Sequence, residues 1–116
     1  MNLNQWIGEG TLSCDPLVRY TADKRAVTNF TLYVNNSFKS KADDGSFILK
    51  KRHNRIPVVA WAGKAEVISK NYKKGDKVRL VGSIRTRLVE RDGVKINSFE
   101  IVADNISMIR EATYED

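Results

Sequence analysis

Cysteine and histidine are almost absent from this chain of 116 residues, which has one of each, Cys14 and His53. A single cysteine excludes an internal disulfide bond. One cysteine and one histidine are also too few to form a zinc site of the usual ligand spacing. The sequence therefore predicts no metal site and no cofactor.

Long apolar runs are absent as well, since no uninterrupted hydrophobic stretch approaches the length that crosses a bilayer. The first ten residues, MNLNQWIGEG, lack the basic start and the apolar centre of a secretory signal peptide. We therefore expect a cytoplasmic protein that has no membrane partner.

Carboxylates are in the minority, with 14 acidic residues against 20 lysines and arginines and a formal net charge of +6. This excess favours nucleic acid or another acidic surface as the partner, although charge alone does not choose between them. The acidic residues are scattered through turns and the predicted helix rather than gathered around a metal or beside a nucleophile. We therefore predict that the protein is not an enzyme.

The hydrophobic pattern consists of short strands separated by turn signals, which is typical of a single all-β domain. Four strands are predicted at residues 4–13, 27–38, 56–61 and 77–88, a fifth ends near residue 103, and one helix is predicted at residues 64–72. Gly8 and Gly10 predict that the first strand coils sharply or meets another backbone. This order of elements is that of an OB-fold, a five-stranded Greek-key barrel with one short helix between strands three and four.

A polar and basic segment, residues 39–54, separates the second and third predicted strands. It contains the turn Asp43-Asp44-Gly45 and the cations Lys50, Lys51 and Arg52. We predict a long, mobile hairpin loop here. Its cations are either a solvated charge run or part of a binding surface, and the composition favours neither interpretation.

The predicted fourth strand has two different faces. Alternation places apolar side chains on one face and only cations on the other. The apolar set is Val78, Leu80, Ile84 and Leu88, and the cationic set is Lys77, Arg79, Arg85 and Arg87. We predict that the apolar face belongs to the core and that the cationic face binds the phosphates of a nucleic acid. The alternative is a solvated face beside acidic loops.

Six short segments resemble, in order and in spacing, the bacterial single-stranded-DNA-binding protein family, including its phage and plasmid members. They are DPLVRY at residues 15–20, AVTNFTL at 26–32, VAW at 59–61 followed by Ala65-Glu66, KKGD at 73–76, GSIRTR at 82–87 and VADN at 102–105. The resemblance runs from about residue 2 to residue 109. We therefore predict an OB-fold domain over residues 1–109 and a short tail over residues 110–116.

The resemblance implies a protein that coats single-stranded DNA during replication, recombination and repair, usually as a homotetramer, and that catalyses no reaction. Such proteins stack bases on aromatic side chains and contact phosphates with cations. The family's stacking positions fall on Phe38 and Trp61, which could instead be buried in the core or in an interface. Arg55 and Val89 stand where the family commonly has aromatics, and the guanidinium of Arg55 can replace part of that stacking.

The family's phosphate-contacting positions fall on a second set of residues. They are Arg19, Lys41, Lys74, Arg85 and Arg87, with Lys50, Lys51, Arg52 and Arg79 as further candidates. Family members commonly continue through a disordered linker into an acidic tip that recruits replication and repair proteins. Residues 111–116, EATYED, are a weak acidic end by comparison, as expected either of a chain whose tail was removed or of a minimal member. The alternative function is an OB-fold protein-interaction module of the primosome-assembly type.

Overall fold

The structure, a computed structural model, describes residues 3–109, which form six strands and one helix. In chain order these are β1 (Trp6–Leu12), β2 (Arg19–Tyr20), β3 (Ala26–Lys41), β4 (Phe47–Trp61), α1 (Gly63–Asn71), β5 (Lys77–Arg91) and β6 (Val94–Met108). The predicted tail, residues 110–116, lies outside the described residues. Within residues 3–109, no helix is both long enough and apolar enough to span a bilayer.

Five of the strands close into a barrel in the order β1-β5-β6-β4-β3, and β2 adds to the free edge of β3. One closure is antiparallel, where the end of β1 leaves β5 and pairs with β3 at Leu12 and Leu32. The other is parallel, where Val58 and Val59 of β4 pair with Ile101 and Val102 of β6. The OB-fold prediction is confirmed.

Gly10 allows β1 to pass from one neighbouring strand to the other. A Cβ atom at this position would overlap the backbone carbonyl of Tyr33 on β3, so any other residue would push the two strands apart. The predicted close approach of a second backbone is thus confirmed at Gly10. At Gly8 the missing side chain leaves room for the indole of Trp6, which packs against the core.

The core fills the barrel with side chains from all five barrel strands and with one face of α1. Its buried members include Leu12, Phe30, Leu32, Val58, Ala60, Ala65, Ile68, Val78, Leu80 and Ile101. Each buried Leu, Ile, Val or Phe side chain contributes about 1.5–3 kcal/mol relative to its exposed state. The helix is attached through Ala65 and Ile68, and Tyr72, which follows it, donates a hydrogen bond from its hydroxyl to the carbonyl of Ile106 at 3.2 Å.

The predicted mobile loop at residues 39–54 is wrong, because most of this segment is strand. Strands β3 and β4 pair continuously from Val27 and Trp61 to Lys41 and Phe47, and the turn occupies only residues 42–46. Polar composition does not prevent pairing when the backbone ladder is complete, and only Gly45 adopts a positive φ in the turn. We call residues 35–55, which extend beyond the barrel, the β3–β4 arm.

The predicted core face of the fourth strand is correct only in its first half. Val78 and Leu80 are buried, whereas Ile84 is 44% exposed and Leu88 is 65% exposed. Beyond the barrel, β5 and β6 continue as a second two-stranded hairpin, residues 85–100, which we call the β5–β6 arm. Within residues 3–109, no other element packs over Ile84 and Leu88, so the alternating apolar pattern of β5 does not lead to burial at these two positions.

Candidate nucleic-acid interface

Cationic side chains gather around Trp61 on the outer surface of the barrel, the surface that faces away from the core. Arg19 pairs with Val27 across β2 and β3, and Val27 pairs with Trp61 across β3 and β4, so the three residues form one row. The guanidinium of Arg25 lies 4.5 Å from the centroid of the Trp61 ring, and that of Arg85 lies 5.9 Å from it. We call Arg19, Arg25, Trp61, Arg85 and Glu100 the Trp61 cluster.

Arg25 reaches Trp61 because of the turn between β2 and β3. The amide of Thr21 donates to the carbonyl of Arg25, the amide of Arg25 donates to the Thr21 hydroxyl, and Lys24 takes a positive φ of 64°. Arg25 is a residue that the sequence prediction missed. Only the folded turn brings it to Trp61, so no local pattern could have indicated it.

Two of the four cations on the outward face of β5 are paired with carboxylates. A guanidinium nitrogen of Arg85 lies 2.5 Å from the carboxylate of Glu100, which is 6% exposed, and one of Arg79 lies 2.7 Å from that of Glu9. At these two positions the cationic face is therefore partly neutralised by carboxylates. The carboxylates belong to β1 and β6, so the sequence of β5 alone could not predict these ion pairs. Arg87, two residues further, makes no ion pair with any residue between 3 and 109.

The predicted stacking residues do not share one face of the β3–β4 arm. Phe38 is directly opposite Lys50 and is 37% exposed, and the guanidinium of Arg52 lies 5.1 Å from its ring centroid. Arg55 and Trp61 differ from Phe38 in the parity of their positions along the paired strands, so they project from the other face. The structure thus places Phe38 with Lys50 and Arg52, and it places Arg55 with the surface that leads to Trp61.

The remaining predicted cations are spread over the molecule. Lys41 ends β3 opposite Phe47, beside the turn of the β3–β4 arm. Lys51 lies in β4 opposite Ser37, on the same face as Arg55. Lys74 lies in the turn between α1 and β5, where its backbone amide donates to the carboxylate of Asp15 at 2.8 Å, and no contact joins it to the other predicted site residues.

A groove of about 310 Å³ opens where β4 and β6 diverge beyond their short parallel pairing. Asn29, Thr31 and Pro57 line one side, and Arg87, Ser98 and Glu100 line the other. Phe30 and Phe99 also line the groove, and Asn29 accepts a hydrogen bond from Arg19 at 2.9 Å. The groove therefore connects the Trp61 cluster with the uncompensated Arg87.

Two acidic residues at the turn of the β3–β4 arm interrupt its positive charge. The hydroxyl and the amide of Ser46 donate to the carboxylate of Asp44 at 2.6 and 3.0 Å, and these hydrogen bonds lower the pKa of Asp44 below its ordinary value. Asp44 therefore stays ionised at neutral pH.

Within residues 3–109, no three acidic, cysteine or histidine side chains are grouped as metal ligands.

Comparison with known proteins agrees with this geometry. The family model described as "Single-strand binding protein family" matches residues 3–109. The chain belongs to this family. A single-stranded DNA-binding protein of Caldanaerobacter subterraneus subsp. tengcongensis is 37% identical over 92% of this chain and 68% of its own length. One of Streptococcus pneumoniae is 30% identical over 98% of this chain and 70% of its own length.

A solved structure also has the same fold as this family member. It is described as "Plasmodium falciparum SSB complex with ssDNA" and superposes with a TM-score of 0.78, covering 94% of this chain and 95% of that chain at 21% identity. At this identity the likeness shows the fold, a barrel with the same arrangement of strands. The predicted resemblance to the single-strand binding family is confirmed by the family match and the relatives.

Proposed function

We propose that this protein binds single-stranded DNA without sequence preference and coats it during replication, recombination and repair, catalysing no reaction. The observation that carries the proposal is that two aromatic rings, the exposed Phe38 and the partly buried Trp61, each lie beside arginines on a surface rich in cations. Bases of any sequence can stack on such rings while the neighbouring cations contact the phosphates. Family membership and the names of the relatives support the same ligand.

Stacking and charge divide between residues in a specific way. Phe38 and Trp61 stack bases, and Arg55 adds a planar cation where an aromatic is missing. The phosphate contacts come from Arg19, Lys41, Lys74 and Arg87 and from the arm cations Lys50, Lys51 and Arg52. Arg79 and Arg85 also contact phosphates, through the guanidinium N–H groups that their ion pairs leave unused. Because Phe38 and Trp61 project from opposite faces of the β3–β4 ribbon, the bound strand wraps around the arm rather than crossing one flat surface.

A base can stack on the covered face of Trp61 only after it has displaced the guanidinium of Arg25 from that face. Arg25 lies 4.5 Å from the ring centroid in the free protein. A base that takes this position displaces the guanidinium, which then becomes available to the adjacent phosphate. The exchange keeps one planar group on the ring in both states, so little stacking energy is lost.

The test is a titration of fluorescein-labelled dT oligonucleotides and of a matched duplex, followed by anisotropy at several salt concentrations. We expect preference for the single strand and a slope of log K against log[salt] of about −0.7 for each phosphate neutralised. Equal binding of the duplex, or no binding of dT, would reject the proposal. In the second case a protein-interaction OB module becomes the better interpretation.

We further propose that the protein acts in the cytoplasm as a homo-oligomer and that this oligomer is a tetramer. Replication or repair proteins are recruited to it. Apolar side chains that the isolated chain leaves exposed support association, among them Ile7 on β1 and Leu88 on β5. Light scattering at micromolar concentration should give a multiple of the 13.2 kDa chain mass. A mass equal to one chain would contradict the oligomer without affecting DNA binding.

A further inference from the structure

Tyr33 is an outward-facing aromatic on β3 that lies outside the family's stacking positions. It lies directly opposite Arg55 in the antiparallel pairing of β3 with β4, where cross-strand side chains are about 5 Å apart at Cβ. Its ring is 38% exposed. Its backbone carbonyl is the group that Gly10 accommodates, and its direct neighbour on β1 is the small side chain of Thr11, so β1 places no large side chain beside the ring.

The ring of Tyr33 differs from those of Phe38 and Trp61 in having no guanidinium stacked on it. Within residues 3–109, guanidinium groups lie over the other two rings, and the hydroxyl of Tyr33 makes no hydrogen bond. An incoming base therefore has no side-chain cation to displace from Tyr33. The hydroxyl remains available to water or to a ligand, which a core tyrosine would not permit.

Two shallow, open depressions flank Tyr33. A cavity of about 430 Å³ is lined by Tyr33, Asn35, His53 and Arg55. A second of about 250 Å³ adjoins it and shares Tyr33 and Asn35. Nδ1 of His53 and Oδ1 of Asn35 lie 2.8 Å apart, so the imidazole and the amide brace each other and form one wall. Arg55 makes no ion pair with a described residue and can contact a phosphate.

We propose that Tyr33 and Arg55 form a base-binding subsite, in which one nucleobase stacks on Tyr33 and the flanking phosphate contacts Arg55. This inference rests on the proposed single-stranded DNA binding and assigns to it a residue outside the family's stacking pattern. The subsite lies on the face that leads to Trp61. Tyr33 supplies a stacking ring directly opposite Arg55, the position where the family commonly has an aromatic. The bound strand can therefore contact this face of β3 and β4 without a gap between Arg55 and Trp61.

The first experiment compares Tyr33→Leu with Tyr33→Phe in the full chain. Loss of the ring should weaken dT binding about five- to 150-fold, the range of one base stacked on an aromatic, without changing the salt slope. Tyr33→Phe keeps the ring and should restore most of the lost affinity. Tyr20→Leu is the matched control, because Tyr20 is exposed on β2 but its hydroxyl is directed to Glu66 at 3.4 Å, and it should bind like wild type.

A second experiment decides the matter if Tyr33→Leu unfolds, which circular dichroism would reveal. Tyr33→Trp and, separately, Tyr20→Trp are prepared with Trp6→Phe and Trp61→Phe, so that each protein has one indole. Saturating dT should quench the indole at position 33 and leave that at position 20 unchanged. Unquenched emission at 33 in a protein that anisotropy shows to be DNA-bound overturns the subsite alone, as does a folded Tyr33→Leu that binds like wild type. Absence of binding by the wild-type chain rejects the proposed function itself.

Discussion

The two hairpin arms are built alike but carry charge differently. Residues 35–55 contain six lysines and arginines and two acidic residues, and both acids are confined to the turn. Residues 85–100 contain four such cations and three acidic residues, and Glu100 holds Arg85 in an ion pair. Each arm is a long antiparallel ladder that leaves the barrel, so the backbone does not account for the difference.

This difference indicates a division of labour between the arms. The β3–β4 arm places its cations beside Phe38 and Tyr33, which is the combination that binds single strands. Both arms expose apolar side chains, such as Leu49 on the first and Leu88 on the second, but the β5–β6 arm has fewer uncompensated cations beside them. We expect DNA binding to depend mainly on the first arm, and the following variants test that expectation.

The largest effect should come from neutralising one arm. In Lys50→Ala, Lys51→Ala and Arg52→Ala together, the salt slope should become shallower by about 2, because three phosphate contacts at about 0.7 each are removed. The matched triple on the other arm, Arg87→Ala, Arg91→Ala and Lys95→Ala, should change the slope by less than half as much. The salt slopes are measured by anisotropy titrations at four salt concentrations. Equal changes of slope in the two triple variants would show that the two arms contribute equally to phosphate binding.

Phe38→Ala should give the next largest effect. Loss of this stacking ring should cost about 1–3 kcal/mol in binding to dT, with the salt slope unchanged because no charge is removed. Leu88→Ala, an exposed apolar truncation on the other arm, is the control and should leave affinity unchanged. An unaltered Kd for Phe38→Ala would show that this face of the arm does not contact bases.

Arg85 and Arg87 are two residues apart on the same face of β5, yet they should respond differently. Arg85→Ala leaves the carboxylate of Glu100 buried without its partner, which should lower the free energy of unfolding by about 1–2 kcal/mol after allowance for the half-exposed guanidinium. Arg87→Ala should leave urea unfolding unchanged and weaken DNA binding instead. If both variants unfold at the wild-type urea midpoint, the ion pair has no structural role.

Val89→Trp should give the smallest effect, and it is a gain. Val89 lies between Arg87 and Arg91 in a shallow cavity of about 270 Å³ on the β5–β6 arm. A ring here should tighten binding by about 1 kcal/mol, the low end of the stacking range, because the arm supplies few further contacts. Isothermal calorimetry with dT would measure it, and an unchanged affinity would show that the strand does not reach this arm.

The arrangement along the chain was accessible to sequence reasoning because it depends on local signals. Alternation in β1, β3 and β5, the apolar stripe of α1 and the turn signal Asp92-Gly93 between the last two strands each depend on residues close in sequence. The turn is present, with positive φ at both residues. These signals predicted the OB-fold correctly. They failed for residues 39–54, since a ladder with a distant strand stabilised a polar segment whose composition suggested a loop.

The sequence by itself determined the order of the five barrel strands, the position of α1 and membership of the single-strand binding family, but it missed the short strand β2. Only the tertiary structure decided which cations remain uncompensated, which aromatics share a face and which alternating apolar residues are buried. Arg79 and Arg85 meet Glu9 and Glu100 across strands that are 70 and 15 residues away along the chain. Charge compensation and burial are properties of neighbours in space, and β-sheet pairing selects those neighbours from distant parts of the chain.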